Sequence, residues 1–133
     1  MTELGIGPDD INKLEPEIAY ITENAENITI LGLFLDTGYQ IAFASLYKGG
    51  LDSESVGGVA SALTLTSKMA IQTMFNEPLS ETIIRAGNGY FVATLAGRFI
   101  IAIAGVDPNS LMKNVKVLRI AAERIAAQFP PLI

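Results

Sequence analysis

"SVGGVASALTLTSKMAIQTMF", residues Ser55–Phe75, is the stretch of sequence that decides the fold. It has the length of a helix and is followed by "NEP", where Pro78 cannot continue a helix. Lys68 is its only charged residue, whereas a helix with one side in water normally carries a charged face. We therefore expect protein to cover both sides of this central helix.

The composition excludes several classes of function. The chain has 133 residues, of which 50% are apolar and 17% charged, with a mean hydropathy of +0.38. A net charge of −5 argues against nucleic acid as a partner, because phosphates select basic surfaces. Cysteine and histidine are absent from the sequence, which removes thiol nucleophiles and the commonest general base and metal ligand. We therefore expect a non-enzymatic protein without metal or cofactor.

One domain is expected, over residues 9–129, with a flexible lead-in at 1–8 and a tail at 130–133. The N-terminal "MTELGIGPDD" is acidic and is interrupted by Gly and Pro, unlike a signal peptide. The apolar runs are shorter than the roughly 18 residues that suggest a membrane span. These features predict a soluble, cytoplasmic protein that does not insert into membranes.

One helix and one β-hairpin are predicted before the central helix. A first helix within Pro8–Glu26 has an apolar stripe at three- and four-residue steps, and Pro16 either kinks it or begins a fresh first turn. "NITILGLFLDTGYQIAFASLY" predicts a β-hairpin with arms Ile28–Asp36 and Gln40–Tyr47. Asp52 or Ser53 then caps the central helix.

Four elements are predicted after the central helix. Three strands cover Glu81–Ala86, Tyr90–Leu95 and Arg98–Gly105, joined by turns at "GNG" and "AG". Asp107 and Pro108 have the pattern of an N-cap and a first-turn proline. The last helix has an apolar stripe of Leu111, Val115, Leu118, Ala122, Ile125 and Phe129. The order α-ββ-α-βββ-α predicts an α/β (α+β) sandwich with a five-stranded antiparallel sheet.

Both faces of this sheet are predicted to be buried, because its strands do not alternate apolar and polar residues. In the first strand, Ile28, Ile30 and Phe34 share one face, and Leu31, Leu33 and Leu35 share the other. Five strands span roughly 24 Å, and one helix covers about 10–12 Å. The first and last helices together cover one face of the sheet. Only the central helix remains for the other face, and its width is enough to shield about half of it.

The central helix has more apolar surface than its own sheet requires. One apolar stripe consists of Val56, Val59, Leu63, Ala70 and Met74. On one flank of it lie Leu65 and Met69, together with the small residues Gly58, Ser61 and Ala62. On the other flank lie Ile71 and Phe75. Small residues allow a second helix to approach closely. The simplest partner is a second copy related by a two-fold axis.

With this layout, the chain resembles the roadblock/dynein light chain family, and is most similar to small prokaryotic single-domain members related to the bacterial gliding-motility regulator. Four segments carry the resemblance over about Asp9–Phe129: "ILGLFLDTGYQIAFAS", "ESVGGVASAL", "ETIIRAGNGYFVATLAGRFIIAIAG" and "NSLMKNVKVLRIAAERIAAQF". None of these segments is a catalytic signature. The resemblance rests on the order and spacing of all four along the chain.

The resemblance implies a spatial strand order of 2–1–5–4–3, counted along the chain. It also implies a dimer in which the third strand pairs with its symmetry mate and the central helices pack together. The expected interface residues are Gly58, Ala62, Leu65, Met69, Thr82 and Ile84. The partner chain is a second copy or a paralogous roadblock chain.

Family members bind or regulate Ras-like small GTPases, or serve as scaffolds. The resemblance therefore implies a scaffold or regulator of such a GTPase. Ser61, Thr64 and Lys68 interrupt the apolar helix and are the expected partner-binding residues, although Lys68 equally fits a lysine that extends to solvent at the helix rim. The alternative function is a profilin-like or PAS-like small-molecule sensor, which the uniformly apolar inward positions disfavour.

Three other motifs have ordinary structural interpretations. "RAGNGYFVATLAG" has the glycines of a phosphate loop, but no helix is predicted to follow Gly89, so a hairpin turn is favoured. "GGVASA" fits close helix packing better than an anion cradle. Asp36 in "DTG" lacks the second carboxylate of an aspartic protease and is expected in a turn.

Overall fold

The computed structural model describes residues 5–45 and 52–132. Its helices are α1 (Pro8–Asn24), α2 (Ser53–Phe75) and α3 (Leu111–Gln128). Its strands are β1 (Ile28–Leu35), β2 (Gln40–Ser45), β3 (Glu81–Arg85), β4 (Gly89–Ala96) and β5 (Phe99–Val106). The predicted order of elements is confirmed. The end of the predicted second strand, residues 46 and 47, and most of the loop before α2 lie outside the described residues.

All five strands form one antiparallel sheet in the order β2-β1-β5-β4-β3. This is the order that the resemblance implies. β5 lies at the centre, and its residues from Phe99 to Ile103 are at most 1% exposed, as expected for a strand that is covered on both faces. β2 and β3 are the two edges.

The core is divided by the sheet into two layers. On one face α1 and α3 pack side by side over Leu31, Leu33, Val92, Phe99, Ile101 and Ile103. On the other face α2 contributes Val56 and Ala60 to a smaller cluster with Ile30, Phe34, Ala93, Ile100 and Ala102. The predicted arrangement of two helices on one face and one on the other is therefore confirmed.

Local signals set the helix boundaries. Asp52 is the N-cap of α2, and its Oδ1 accepts a hydrogen bond of 2.7 Å from the Ser55 N–H. This backbone bond stabilises the carboxylate and holds the pKa of Asp52 below its usual range. α2 ends at Asn76, which adopts the left-handed conformation two residues before Pro78. Pro16 lies inside α1, which continues through it as one helix.

Two residues lie where the sequence pattern does not place them. Ile28 packs against the α1–α3 layer instead of sharing a face with Ile30 and Phe34, because the β1–β5 register shifts between Ile28 and Ile30. Such a bulge reverses the alternation of faces. Ile6, within the segment expected to be a loose lead-in, is fully buried in the same layer.

A buried polar network joins α3, β4 and the connection between α1 and β1. The Asn114 side chain is fully buried, accepts from the Glu26 N–H at 2.9 Å, and donates to the Glu26 carbonyl oxygen and to the Tyr90 hydroxyl. The Tyr90 hydroxyl also lies within hydrogen-bonding distance of Ser110 Oγ. Since each of these buried groups is bonded, the network fixes the start of α3 relative to the end of α1.

Candidate protein-interaction site

The side of α2 that faces its own sheet is narrow and made of small residues. Its buried members are Val56, Gly57, Ala60 and Thr64. A Cβ added at Gly57 would lie 2.2 Å from the Gly38 carbonyl oxygen and 2.9 Å from the Phe34 ring. The helix therefore approaches the β1–β2 turn so closely that only glycine fits at Gly57.

The opposite side of α2 carries the predicted interface residues. Gly58, Ala62, Leu65 and Met69 follow one another at steps of four, three and four residues, so they form one line along the helix. We call this line the outward stripe. Leu65 is 63% exposed and Met69 is 65% exposed. Nothing lies within 4 Å of a Cβ added at Gly58, which leaves room for another helix to approach there.

Charges are absent from the outward stripe. Along Ser53–Phe75 the charged residues are Glu54, in the first turn, and Lys68, which lies off the stripe. Monomeric proteins rarely expose a large apolar surface of this kind unless it binds something.

β3 supplies the other predicted interface residues. Thr82 and Ile84 pair with Ala93 and Phe91 of β4, both of which belong to or pack against the α2-side cluster. Cross-strand partners share a face, so Thr82 and Ile84 lie on the same side of the sheet as α2. Ile84 is 43% exposed. The Thr82 hydroxyl oxygen is buried and forms no hydrogen bond within the described residues.

A shallow groove connects the end of α2 with the start of β3. It has a volume of about 300 Å3. Its walls include Ile71, Phe75, Leu79 and Glu81. Phe75 in this wall is 62% exposed, and the neighbouring Met74 is 69% exposed. The sequence pattern assigns Met74, like Val59, to a stripe with the buried Val56. Both side chains are exposed in the folded chain, where the buried residues of α2 are Val56, Gly57, Ala60 and Thr64.

The three predicted partner-binding residues differ in their surroundings. Ser61 is half-buried, and its hydroxyl donates a 2.7 Å hydrogen bond to the Asp36 carbonyl oxygen, which ties α2 to the β1–β2 turn. Thr64 is only 3% exposed and faces the sheet, so its expected place at the rim is corrected. It shares the sheet-facing side of the helix with Ala60, one turn earlier. Lys68 is exposed, and its contact with a partner stays a prediction.

Ion pairs are found in the α1–α3 layer instead. Lys113 Nζ lies 2.6 Å from Glu26 Oε1, and Arg124 Nη1 lies 3.4 Å from Glu17 Oε1. Arg119 Nε lies 2.7 Å from Glu81 Oε1, and this hydrogen bond raises the pKa of Arg119 above its usual value. The Lys113, Arg119 and Arg124 side chains are about half exposed, whereas Glu17 and Glu81 are largely covered. This side of the molecule therefore carries paired charges, which the outward stripe lacks.

The motifs with possible chemistry have structural roles. "GNG" lies in the β3–β4 turn, where the Ala86 N–H donates to the Gly89 carbonyl oxygen at 2.7 Å, and Gly89 begins a strand rather than a helix. Arg98 donates from Nε to the Pro130 carbonyl oxygen and lies over the Phe129 ring. Within residues 5–45 and 52–132, there is no group of three side chains suited to a metal ion. None of the helices in that part of the chain is long and apolar enough to cross a membrane.

Comparison with known proteins identifies the fold. No protein-family model and no curated protein matches the sequence significantly. Among solved structures, MglB of Myxococcus xanthus matches with a TM-score of 0.79 at 14% identity, covering 93% of this chain and 92% of that one. The chain has the roadblock/LC7 fold.

Two further structures agree with this assignment. A roadblock/LC7 domain from Streptomyces avermitilis matches with a TM-score of 0.69 at 11% identity, over 83% of this chain and 92% of that domain. A structure described as MglB with a tetrameric arrangement matches with a TM-score of 0.71 at 12% identity, over 93% and 92% of the two chains. The roadblock resemblance that the sequence patterns indicate is thus confirmed for the fold.

Proposed function

We propose that two copies of this chain assemble about a two-fold axis and that the dimer binds and regulates a Ras-like small GTPase in the cytoplasm. One observation carries the proposal: the outward stripe of α2 is exposed, apolar and uncharged, and it lies on the same side of the sheet as the exposed Ile84 of edge strand β3. Burial of such a surface against a partner is favourable, and apolar patches of this kind commonly mark interaction sites.

A second copy fits this surface well. Gly58 and Ala62 leave space for close approach of a symmetry-related α2, and Leu65 and Met69 then become buried. The five residues of β3 can pair with the same strand of the partner, because an antiparallel pair is compatible with a two-fold axis. We expect about 1,600 Å2 of surface to be buried in total. The tetrameric arrangement of the structurally similar MglB also supports self-association.

The role of a GTPase regulator rests on the roadblock fold together with the nature of the surface. Family resemblance implies Ras-like GTPases as partners. Lys68 is the only cation of α2 and lies beside the outward stripe, and polar side chains at the edge of an apolar centre are usual in transient interfaces. We propose that this rim contacts the GTPase.

Calorimetry tests the GTPase proposal. The protein is titrated into a Ras-like GTPase from the same organism, loaded in turn with GDP and with a non-hydrolysable GTP analogue. A regulator of the nucleotide cycle binds the two forms with different affinity, since equal affinity cannot shift the equilibrium between them. Equal affinity indicates a scaffold. Absence of binding to every such GTPase, together with saturable binding of a metabolite, contradicts the proposal and favours the sensor function.

Lys68→Glu is expected to weaken GTPase binding while the dimer remains intact. Reversing one exposed rim charge changes binding by about 0.5–1 kcal/mol, or roughly two- to fivefold in Kd. The effect should diminish as salt is raised. Lys116→Glu is the matched control, because Lys116 is an exposed lysine of α3 on the other side of the sheet. An equal loss in both variants would place the contact elsewhere.

A further inference from the structure

The second edge of the sheet, β2, lacks the usual protection against added strands. Among residues 5–45 and 52–132, no strand lies beyond β2. Its sequence "QIAFAS" contains no charge and no proline, whereas natural edge strands commonly carry lysine, proline or an inward-pointing charge. The opposite edge, β3, has Glu81 and Arg85 within its five residues. β2 is thus the edge more open to pairing with an extended chain.

An apolar cavity of about 130 Å3 lies directly behind this edge, between α1 and the sheet. Ala42 and Ala44 of β2 form part of its wall, and they pair with Leu33 and Leu31 of β1. Among the lining residues that the structure describes, Thr22 of α1 is the only polar one. Ala44 and Thr22 are exposed, so the cavity opens at the outer edge of β2.

The cavity has the size and the character of a side-chain pocket. An apolar cavity of about 150 Å3 in another protein binds benzene, so this volume accommodates one large aliphatic or aromatic side chain. The small side chains of Ala42 and Ala44 create the space, because a larger residue at either position would fill it from within.

We propose that the β2 edge binds an extended segment of a different protein as an added strand, with one large apolar side chain of that segment in the cavity. The outward N–H and C=O groups within residues 40–44 supply the backbone bonds, and the cavity supplies selectivity, as in other cases of strand addition. A second copy of β2 fits less well, since its side chains on that face are Ala42 and Ala44, which are too small to fill the space. The site is independent of the proposed dimer, because β2 and β3 are opposite edges.

The probe for this site is a phage-displayed library of decapeptides, selected on the full-length chain. We expect the selected peptides to have apolar residues at every second position. Methylating the backbone nitrogens of one alternate set, those that face β2, should raise the Kd about tenfold for each hydrogen bond lost. Methylating the intervening nitrogens should have little effect. Equal sensitivity at all positions would overturn the proposal.

Matched variants locate the binding on the protein. Ala44→Asp introduces a charge at an exposed position of the edge, so the fold is retained, and it should lower peptide affinity at least tenfold. Ala127→Asp places the same charge on an exposed position of α3 and should leave the affinity unchanged. The amide resonances of Ile41–Ala44 should shift when the synthetic peptide is added.

Three further results would overturn the proposal. The first is a failure of the library to yield any peptide whose binding depends on Ala44. The second is an equal effect of Ala44→Asp and Ala127→Asp. The third is a lower oligomer mass for the Ala44→Asp protein than for the unmodified protein in light scattering. Such a decrease would mean that a second copy of the chain, and not a different protein, occupies the β2 edge. Loss of the α2-mediated dimer should leave peptide binding at β2 unchanged. The dimer proposal and the β2 proposal can therefore be contradicted independently of each other.

Discussion

Leu65→Lys is expected to convert the dimer into a folded monomer. Leu65 is 63% exposed in the single chain and lies at the middle of the outward stripe, so a lysine is tolerated by the monomer. In the dimer the charge is buried without a partner, and it occurs twice because of the two-fold axis. An uncompensated buried charge costs roughly 3–5 kcal/mol, which raises the Kd of the dimer more than a hundredfold.

Light scattering and circular dichroism measure this outcome together. The mass should decrease from twice 14.2 kDa to 14.2 kDa, while the secondary structure is unchanged. Ala62→Glu should act in the same way, since Ala62 lies one turn earlier on the stripe. Ala127→Glu, on exposed α3, is the control that should remain dimeric. A Leu65→Lys protein with the full dimer mass would place the interface elsewhere.

The adjacent glycines of α2 should respond in opposite directions to alanine. Gly57→Ala places a methyl group against the Gly38 carbonyl oxygen and the Phe34 ring, and overpacking of this kind destabilises a protein by about 1–3 kcal/mol. Gly58→Ala meets nothing within 4 Å, and alanine is favoured over glycine in a helix by about 0.5–1 kcal/mol. It should therefore stabilise the monomer.

Urea denaturation in the Leu65→Lys background separates folding from association. We expect the midpoint to fall for Gly57→Ala and to rise for Gly58→Ala, at an unchanged m-value. In the dimeric protein, Gly58→Ala should weaken association if the two α2 helices approach closely at Gly58. Equal destabilisation by both substitutions would contradict the assignment of the two sides of α2.

Much of the fold follows from local patterns. The ends of α2 depend on Asp52 and Pro78, which act within a few residues, and the outward stripe follows from the period of the helix. The apolar strands indicate a sheet covered on both faces. The strand order, in contrast, comes from the roadblock resemblance, since pairing partners far apart in sequence leave no local signal.

The residues placed wrongly depend on long-range contacts. Thr64 is polar and is expected at the rim, yet it faces the sheet because α2 docks through Gly57, about two helical turns before it. The face of Ile28 depends on a register shift against β5. Asn114 bonds to Glu26, 88 residues away, and nothing in either local sequence predicts this pair.

The candidate site was only partly predictable for the same reason. Gly58, Ala62, Leu65 and Met69 are exposed as a stripe that helical periodicity indicates, but Ser61 is occupied by its bond to the β1–β2 turn. The cavity behind β2 has no signature in the sequence, because it forms between α1 and a sheet edge that only the folded chain brings together.

Single-cysteine cross-linking tests the central claim most directly, since the natural sequence has no cysteine. Leu65→Cys and Ala127→Cys are each oxidised at tens of micromolar and analysed for covalent dimer without reducing agent. If the outward stripes of two α2 helices pack about a two-fold axis, Leu65→Cys forms a disulfide-linked dimer and Ala127→Cys remains largely monomeric. Equal cross-linking of the two variants, or a monomeric Leu65→Cys protein, would contradict the account.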